Sequence, residues 1–350
     1  MKNTPKKKKI LVTGGCGFIG TNACVFYLKK GYQVISIDNL DRSGSKYNLA
    51  FLKKINGNFI FENCDIINFN KLLKVFRKYQ PDLILHLAGQ TTVVDSIKDP
   101  RKDFSVNALG TFNVLEAMRK ITPLASLIYA STNKVMGNLD YLPIIEKRER
   151  YVFKNIKGIS EKHQLNFHSP YGCSKGCGDQ YVTDYAKVFN LNTIVFRQSC
   201  IYGPNQFGME EQGWLAWFII SLVFNKRITI FGNGKQVRDV LYVDDLINAY
   251  DLAFTNIDKT KGKVYNIGGG IKFNLSLLES FKIIEKTVGK KLDFILSSWR
   301  PADQKVYISD IVLAKKDFGW YPKIYPKDGL KKLYKWVKEN KSVFNKVNIK

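Results

Sequence analysis

Tyr171 and Lys175, in the string Tyr171-Gly-Cys-Ser-Lys175, and Thr132, just beyond an apolar run, are side chains that could together move a proton to and from a hydroxyl. On a helix, positions i and i+4 share a face, so the phenol and the ammonium can address one point. A phenol near pKa 10 is a poor base at neutral pH, but a nearby ammonium and a positively charged bound ring both favour phenolate. Lowering it by about three units takes about 4 kcal/mol, within reach of two cations in a partly dry site. Tyr-x-x-x-Lys alone is a weak signal in a chain with 18 tyrosines and abundant lysine. Thr132 could orient the same hydroxyl, or merely cap a turn.

A second motif gives the first its weight. The first apolar run, Ile10-Leu11-Val12, leads into Gly14-x-x-Gly17-x-x-Gly20, with Phe18 and Ile19 inside the turn. Glycines at that spacing make a tight turn, let backbone approach a pyrophosphate and pack helix on strand. Asp38 closes the next expected strand about twenty residues on, where a carboxylate bonds the adenosine ribose and repels a 2′-phosphate. The expected cofactor is therefore NAD rather than NADP. Asn39 follows Asp38, while Asp65, Ile66, Leu87, Ala88 and Gln90 follow two further strand ends, where adenine and ribose edges would lie. Asn107 has two readings: bonded to backbone beside the cofactor, or on the polar face of an amphipathic helix.

These residues need a frame. Strands are expected at Ile10 to Val12, Gln33 to Ile37, Asn58 to Phe61, Leu83 to Leu87, Ser126 to Ala130 and Thr193 to Phe196, with helical segments such as Phe69 to Tyr79 between them. This rhythm predicts an α/β fold: a doubly wound parallel Rossmann sheet with a smaller, interleaved α/β substrate lobe. Residues 1–197 are read as the NAD-binding domain, with elements around 236–268 returning to it, and 198–350 mainly as the lobe. A helix is expected from Tyr171 to about Phe189. Ser276 and Glu279 have capping-box spacing, and Trp214 to Phe224 reads as a buried amphipathic helix too short to span a bilayer.

Composition narrows the class. At 350 residues and 45% hydrophobic, the chain can bury a large core. The six cysteines, at 16, 24, 64, 173, 177 and 200, show no Cys-x-x-Cys pair; reduced, buried thiols and no metal site are expected. The net charge of +25 raises nucleic acid as a partner, but beyond the Lys6 to Lys9 run there is no basic stripe with interleaved aromatics. A solvated lysine-rich surface and a site for anionic nucleotides explain the charge, and no specific nucleic-acid partner is expected. With no membrane segment or signal peptide apparent, the expected location is cytoplasmic.

On the strings His86-Leu-Ala-Gly-Gln, Ser131-Thr-Asn-Lys-Val, Phe167-His-Ser-Pro-Tyr-Gly-Cys-Ser-Lys-Gly, Gln212-Gly-Trp and Gly232-Asn-Gly-Lys-Gln-Val-Arg-Asp-Val, the chain resembles the extended short-chain dehydrogenase/reductases over nearly its full length, and within them the CDP-tyvelose (CDP-paratose) 2-epimerase branch. The resemblance implies a CDP-sugar substrate and inversion at carbon 2, CDP-paratose to CDP-tyvelose, through a 2-keto sugar, in O-antigen-type polysaccharide biosynthesis. It implies Thr132, Tyr171 and Lys175 as the catalytic group, and the glycine turn, Asp38, Asp65, Ala88, Gln90, Asn107, Tyr171 and Lys175 around NAD. It also implies a homo-oligomer. Arg238 and Arg300 are candidates for the diphosphate, since a guanidinium can hold phosphate oxygens bidentately. Arg238, flanked by Asp239, could instead be a surface ion-pair member. Asn133, Gln206, Gln212 and Trp214 are candidates for the sugar or base pocket, with core packing as the alternative for Trp214.

Cys200 stands where many sugar-nucleotide epimerases carry an asparagine that helps hold the diphosphate. Dehydratases of the family place an Asp-Glu pair directly after the catalytic threonine, where this chain has Asn133 and Lys134; an amide cannot supply the proton that elimination requires. A 4-epimerase shares all the motif chemistry, so the choice of carbon rests on the resemblance. A dinucleotide-sensing RNA-binding protein is a reading from another class, and would have no need of Thr132, Tyr171 and Lys175 together.

Overall fold

The apolar, β-branched runs form strands, and the order in which they pair decides where a ligand can enter. The computed structural model describes residues 7–300 and 303–347; Lys6 of the basic run and Pro301-Ala302 after Arg300 lie outside the described residues. In chain order the strands are β1 (Lys9–Thr13), β2 (Gln33–Asp38), β3 (Phe59–Asn63), β4 (Leu83–His86), β5 (Ser126–Thr132), β6 (Ile144–Glu146), β7 (Tyr151–Phe153), β8 (Asn192–Gln198), β9 (Cys200–Tyr202), β10 (Ile228–Phe231), β11 (Val237–Tyr242), β12 (Val264–Ile267), β13 (Asn274–Ser276), β14 (Phe294–Ser297) and β15 (Val306–Tyr307). Seven form one parallel sheet in the order β12-β8-β5-β4-β1-β2-β3. Chain order reverses between β1 and β4, and such a reversal opens a crevice at the strands' carboxyl ends. Thr13 stands beside His86 there.

Successive β1 side chains serve opposite faces of this sheet. Ile10 and Val12 join one apolar cluster and Leu11 the other, all fully buried. Helices cover both faces, as a parallel sheet requires.

His86 ties the crevice together. Its ring bonds the Thr13 hydroxyl at 2.8 Å and the Thr111 hydroxyl at 2.9 Å, and burial lowers its pKa to about 3. The folded protein thus refuses a proton that the unfolded chain accepts near pH 6.5. Between pH 6.5 and 3 the unfolded state binds more protons, so stability falls on acidification. His86→Gln should unfold with a shallower loss across that window, read from denaturant midpoints at several pH values; an unchanged slope would mean that His86 is not held neutral.

The Pro170–Val188 helix begins where Ser169 caps it, its hydroxyl accepting from the Gly172 amide at 3.1 Å, with proline at the tolerated first turn. Tyr171, Ser174, Lys175, Gly178, Asp179 and Val182 form its buried face. Its glycines each cost about 1 kcal/mol of helix propensity relative to alanine. Close packing is the compensation: a Cβ on Gly178 would lie 2.5 Å from the Tyr129 hydroxyl of β5.

The later chain builds a second layer. β11 lies between antiparallel β13 and parallel β15 and also pairs with β9; β10 pairs with β14, and β6 with β7. Of residues 236–268, β12 rejoins the large sheet and the Val243–Thr255 helix is tied to the Phe18–Lys29 helix by Lys30–Asp251 at 2.7 Å, whereas β11 stays in the small sheet. The Ser276 capping box forms, with both of its reciprocal hydrogen bonds.

Some expectations are corrected. The Trp214–Val223 helix is not amphipathic: Leu215 through Leu222 are all buried, because the helix runs through the core of the lobe. Strand β14 is exposed throughout, so no alternation announced it. The cysteines are free, but only Cys16, Cys24 and Cys64 are buried; Cys173 is exposed because it lies on the outer face of its helix. Among the described residues no helix is long and apolar enough to cross a membrane.

Candidate active site

Two cavities open along the crevice. The first, about 1160 Å³, is lined by Gly14, Gly17, Phe18, Ile19, Gly20, Asp38, Asn39, Asp65, Ile66, Leu87, Ala88 and Gln90. The second, about 440 Å³, is lined by Thr132, Asn133, Tyr171, Lys175, Trp214, Arg238 and Arg300. Phe18, Ile19, Leu87, Gln90, Gln206 and Gln212 belong to both walls.

The first cavity fits a dinucleotide on its own geometry. Gly14 has φ +65, and a Cβ there would lie 2.8 Å from the Ala88 backbone; one on Gly20 would lie 2.2 Å from the Gly14 carbonyl. The cradle therefore excludes side chains, leaving backbone and a helix N-terminus for phosphate. Asp38 is less free than the sequence suggested. Its oxygens accept from the Cys16 amide at 3.0 Å and the Leu40 amide at 2.8 Å, so it braces the turn as well as facing the cavity. Burial raises its pKa and those two amides oppose the rise. Asp65 accepts from Asn39 at 2.9 Å, joining the ends of β2 and β3. Gly20→Ala should abolish or severely weaken cofactor retention, measured as NAD released on denaturing the purified protein; retention at the wild-type level would refute this use of the turn.

Asn107 lines neither cavity. It is buried in a π-helical turn, where its Oδ1 accepts from the Gln90 amide at 3.0 Å and its Nδ2 donates to Asp103 and to Ser174, each at 3.1 Å. It thus acts through Gln90 rather than by contact.

In the second cavity, burial pushes the Tyr171 phenol up to about 12, with the Thr132 hydroxyl pulling the other way. Lys175 does not supply the expected relief. Its Nζ donates to the Ala130 carbonyl at 2.5 Å and sits 4.2 Å from the centre of the Tyr129 ring, and burial lowers its pKa to about 7. Beneath it, Asp179 is fully buried and accepts from Arg197 Nε and Nη2, both at 2.9 Å, and from Ser131 at 2.8 Å. This triad joins the Pro170–Val188 helix to β5 and β8.

Arg238 is buried, and its partner is Asp303 at 2.6 Å rather than its neighbour Asp239. Asp239 points the other way, to Ser199 and the amides of Gly270 and Ser309. Arg300 stacks 3.7 Å above the centre of the Phe231 ring and donates to the Glu210 carbonyl at 3.3 Å. Trp214 lines the cavity and donates to Cys200 Sγ at 3.4 Å, and it also packs on Phe218 and the lobe's core, so it serves both surfaces. Among the described residues the buried Oε1 of Gln206 finds no hydrogen-bond partner.

Residues that sequence reasoning left out also line these walls. Arg42 bridges from the loop after β2 to Thr91 and to Gln212 of the lobe, and Lys134 and Asp303 lie in the wall beside Arg238. Arg42, four residues beyond Asp38, had a positional signal; Asp303 had none, since its role depends on a contact 65 residues away.

Residues 10–268 match the model of the NAD dependent epimerase/dehydratase family. The chain is 46% identical over 335 residues to a CDP-paratose 2-epimerase of Salmonella typhi, covering 94% of this chain and 99% of that one. Among solved structures, it is similar to a UDP-glucose 4-epimerase of Thermotoga maritima with UDP-glucose (TM-score 0.82, 30% identity, 95% and 99% covered). It is also similar to a UDP-glucuronic acid 4-epimerase of Bacillus cereus in complex with UDP-glucuronic acid and NAD (TM-score 0.81, 30% identity, 95% and 99% covered). With the glycine cradle, the parallel sheet and the family match all in agreement, the chain belongs to the NAD dependent epimerase/dehydratase family.

Proposed function

We propose that this protein inverts carbon 2 of a CDP-3,6-dideoxyhexose, converting CDP-paratose to CDP-tyvelose. The observation that carries the chemistry is the meeting of Thr132, Tyr171 and Lys175 in one cavity beside the dinucleotide cradle. The choice of carbon 2 and of CDP is supported by the 46% identity to the Salmonella enzyme.

In this reading Gly14, Gly17 and Gly20 hold the pyrophosphate, and Asp38, Asn39, Asp65, Ala88 and Gln90 hold the adenosine half. NAD, when bound, supplies a reversible hydride acceptor and a positive ring that draws the phenol toward its ionised form. Tyr171 takes the proton of the carbon-2 hydroxyl, Thr132 orients that hydroxyl, and the product of this half-reaction is a 2-keto sugar. Tyr171 later returns the proton, after the sugar has turned its other face to the cofactor. Apolar walls from Leu87, Ile201, Trp214 and Phe218 suit that turn, since contacts without direction do not resist rotation. Arg300 and Arg238 hold the diphosphate, Arg238 exchanging some of its contact with Asp303 for phosphate oxygen. Elimination of water is disfavoured because Asn133 offers no proton.

The test is to incubate the purified protein separately with CDP-paratose and with UDP-glucose. Formation of CDP-tyvelose from the first, with little change in the second, is expected. Inversion of UDP-glucose at carbon 4 with CDP-paratose untouched would overturn the assignment.

A further inference from the structure

We infer that Arg42 and Gln212 form a clasp over the mouth of the dinucleotide cavity, holding NAD in place while the sugar is a ketone; the inference rests on the epimerase reading above. The guanidinium uses both of its ends. Nη1 donates to Thr91 Oγ1 in the loop after β4, and Nη2 donates to Gln212 Oε1 in the lobe. All three residues line the larger cavity, and Arg42 is itself exposed to solvent. A side chain that is exposed, borders a cavity and bonds two of its walls lies across the opening, not in the floor.

Both ends of the clasp are firmly rooted. Gln212 closes a tight turn in which its amide donates to the Met209 carbonyl at 3.0 Å and the Met209 amide donates to the Gln212 carbonyl at 2.9 Å. From the substrate side, Arg300 holds the Glu210 carbonyl of that turn at 3.3 Å. The loop that carries Arg42 is pressed against the same lobe segment. Gly44 has φ +86, and a Cβ there would run into the Phe207 ring, which is itself seated 5.1 Å from the Phe344 ring and 5.7 Å from the Trp336 ring. Asn48 adds a buried tie, donating to the Cys16 carbonyl of the glycine turn at 3.0 Å and to the Asn205 carbonyl at 3.3 Å. The two loops therefore meet at a fixed distance, and the arginine spans what is left between them.

The redox balance gives the clasp its use. When carbon 2 is oxidised, its hydride reduces NAD and its hydroxyl proton passes to Tyr171. Were reduced NAD then to leave, one 2-keto sugar would be stranded and one enzyme molecule left without cofactor. An enzyme that exchanges cofactor at every turnover has no need of such a strap; one that must return the hydride does. The clasp is also weak enough to open. Its hydrogen bonds are solvent-exposed and each contributes modestly, so cofactor can still load.

The experiment loads wild type, Arg42→Gln, Arg42→Lys, Gln212→Ala and the Arg42→Gln, Gln212→Ala double variant with isotopically labelled NAD and chases each with unlabelled NAD. Label should leave Arg42→Gln, Gln212→Ala and the double variant about tenfold to a hundredfold faster than wild type, with no further gain in the double. Arg42→Lys, whose single ammonium cannot span both partners, should release about as fast as Arg42→Gln. Given CDP-paratose and no added NAD, Arg42→Gln should start and then stall, with free reduced NAD and 2-keto sugar in equal amounts, whereas wild type runs on. Gln212→Ala tests the same bond from the other side if an Arg42 variant does not fold. Release within about twofold of wild type in either folded single variant, additive effects in the double, or full rescue by lysine would overturn the clasp. If wild type binds no NAD or inverts no sugar nucleotide, the epimerase reading itself fails; inversion by wild type with unchanged release in the variants removes the clasp alone.

Discussion

Tyr171→Phe should bind NAD and sugar nucleotide almost as wild type does while turnover falls about a hundred- to ten-thousandfold. The substitution removes one oxygen and leaves a ring that is already buried and packed, so folding should be little affected. Its phenol stands at about 12 because of burial, which makes its protonation state depend on what else is bound. A group in that position contributes only while a proton is moving, so kcat should drop with little change in KM. Steady-state kinetics with CDP-paratose reads both. Near-native kcat would remove Tyr171 from the mechanism, and a large rise in KM at constant kcat would make it a binding group instead.

The largest effect on stability should come from Asp179. This carboxylate is fully buried, holds Arg197 through two oxygens and accepts from Ser131, so one side chain unites β5, β8 and the catalytic helix. Asp179→Ala strands a buried guanidinium and should cost about 3–5 kcal/mol, as should Arg197→Met for the opposite reason. The pair Asp179→Ala with Arg197→Met should recover part of that loss, since it leaves no unpaired charge. Chemical denaturation of the four proteins measures the cycle. Single variants costing less than about 1 kcal/mol would class the pair with exposed salt bridges and refute its structural role.

What the sequence revealed and what it hid have separate physical causes. The glycine cradle was legible because backbone that must approach backbone admits no other residue: at Gly14 and Gly20 a single Cβ collides. Tyr171 and Lys175 were legible because helical spacing alone brings i and i+4 together. The capping box at Ser276 and the parallel sheet followed from equally local rules. Contacts made across the fold were not legible. Arg238 finds Asp303, and Arg42 reaches Gln212, through chain reversals that no spacing records. Asn107 has two readings that spacing cannot separate; it bonds the Gln90 backbone beside the dinucleotide cavity, a contact made across 17 residues. The Trp214–Val223 helix reads as buried but amphipathic; it is apolar on nearly every side, because the lobe buries almost all of it.

The central claim is that carbon 2 is oxidised and then reduced by the same hydride, and its most direct test is inversion of CDP-paratose in deuterated water followed at carbon 2 by NMR. The account predicts CDP-tyvelose that keeps its original hydrogen at that carbon. Deuterium incorporated there would mean a proton was removed from carbon instead, and would contradict it.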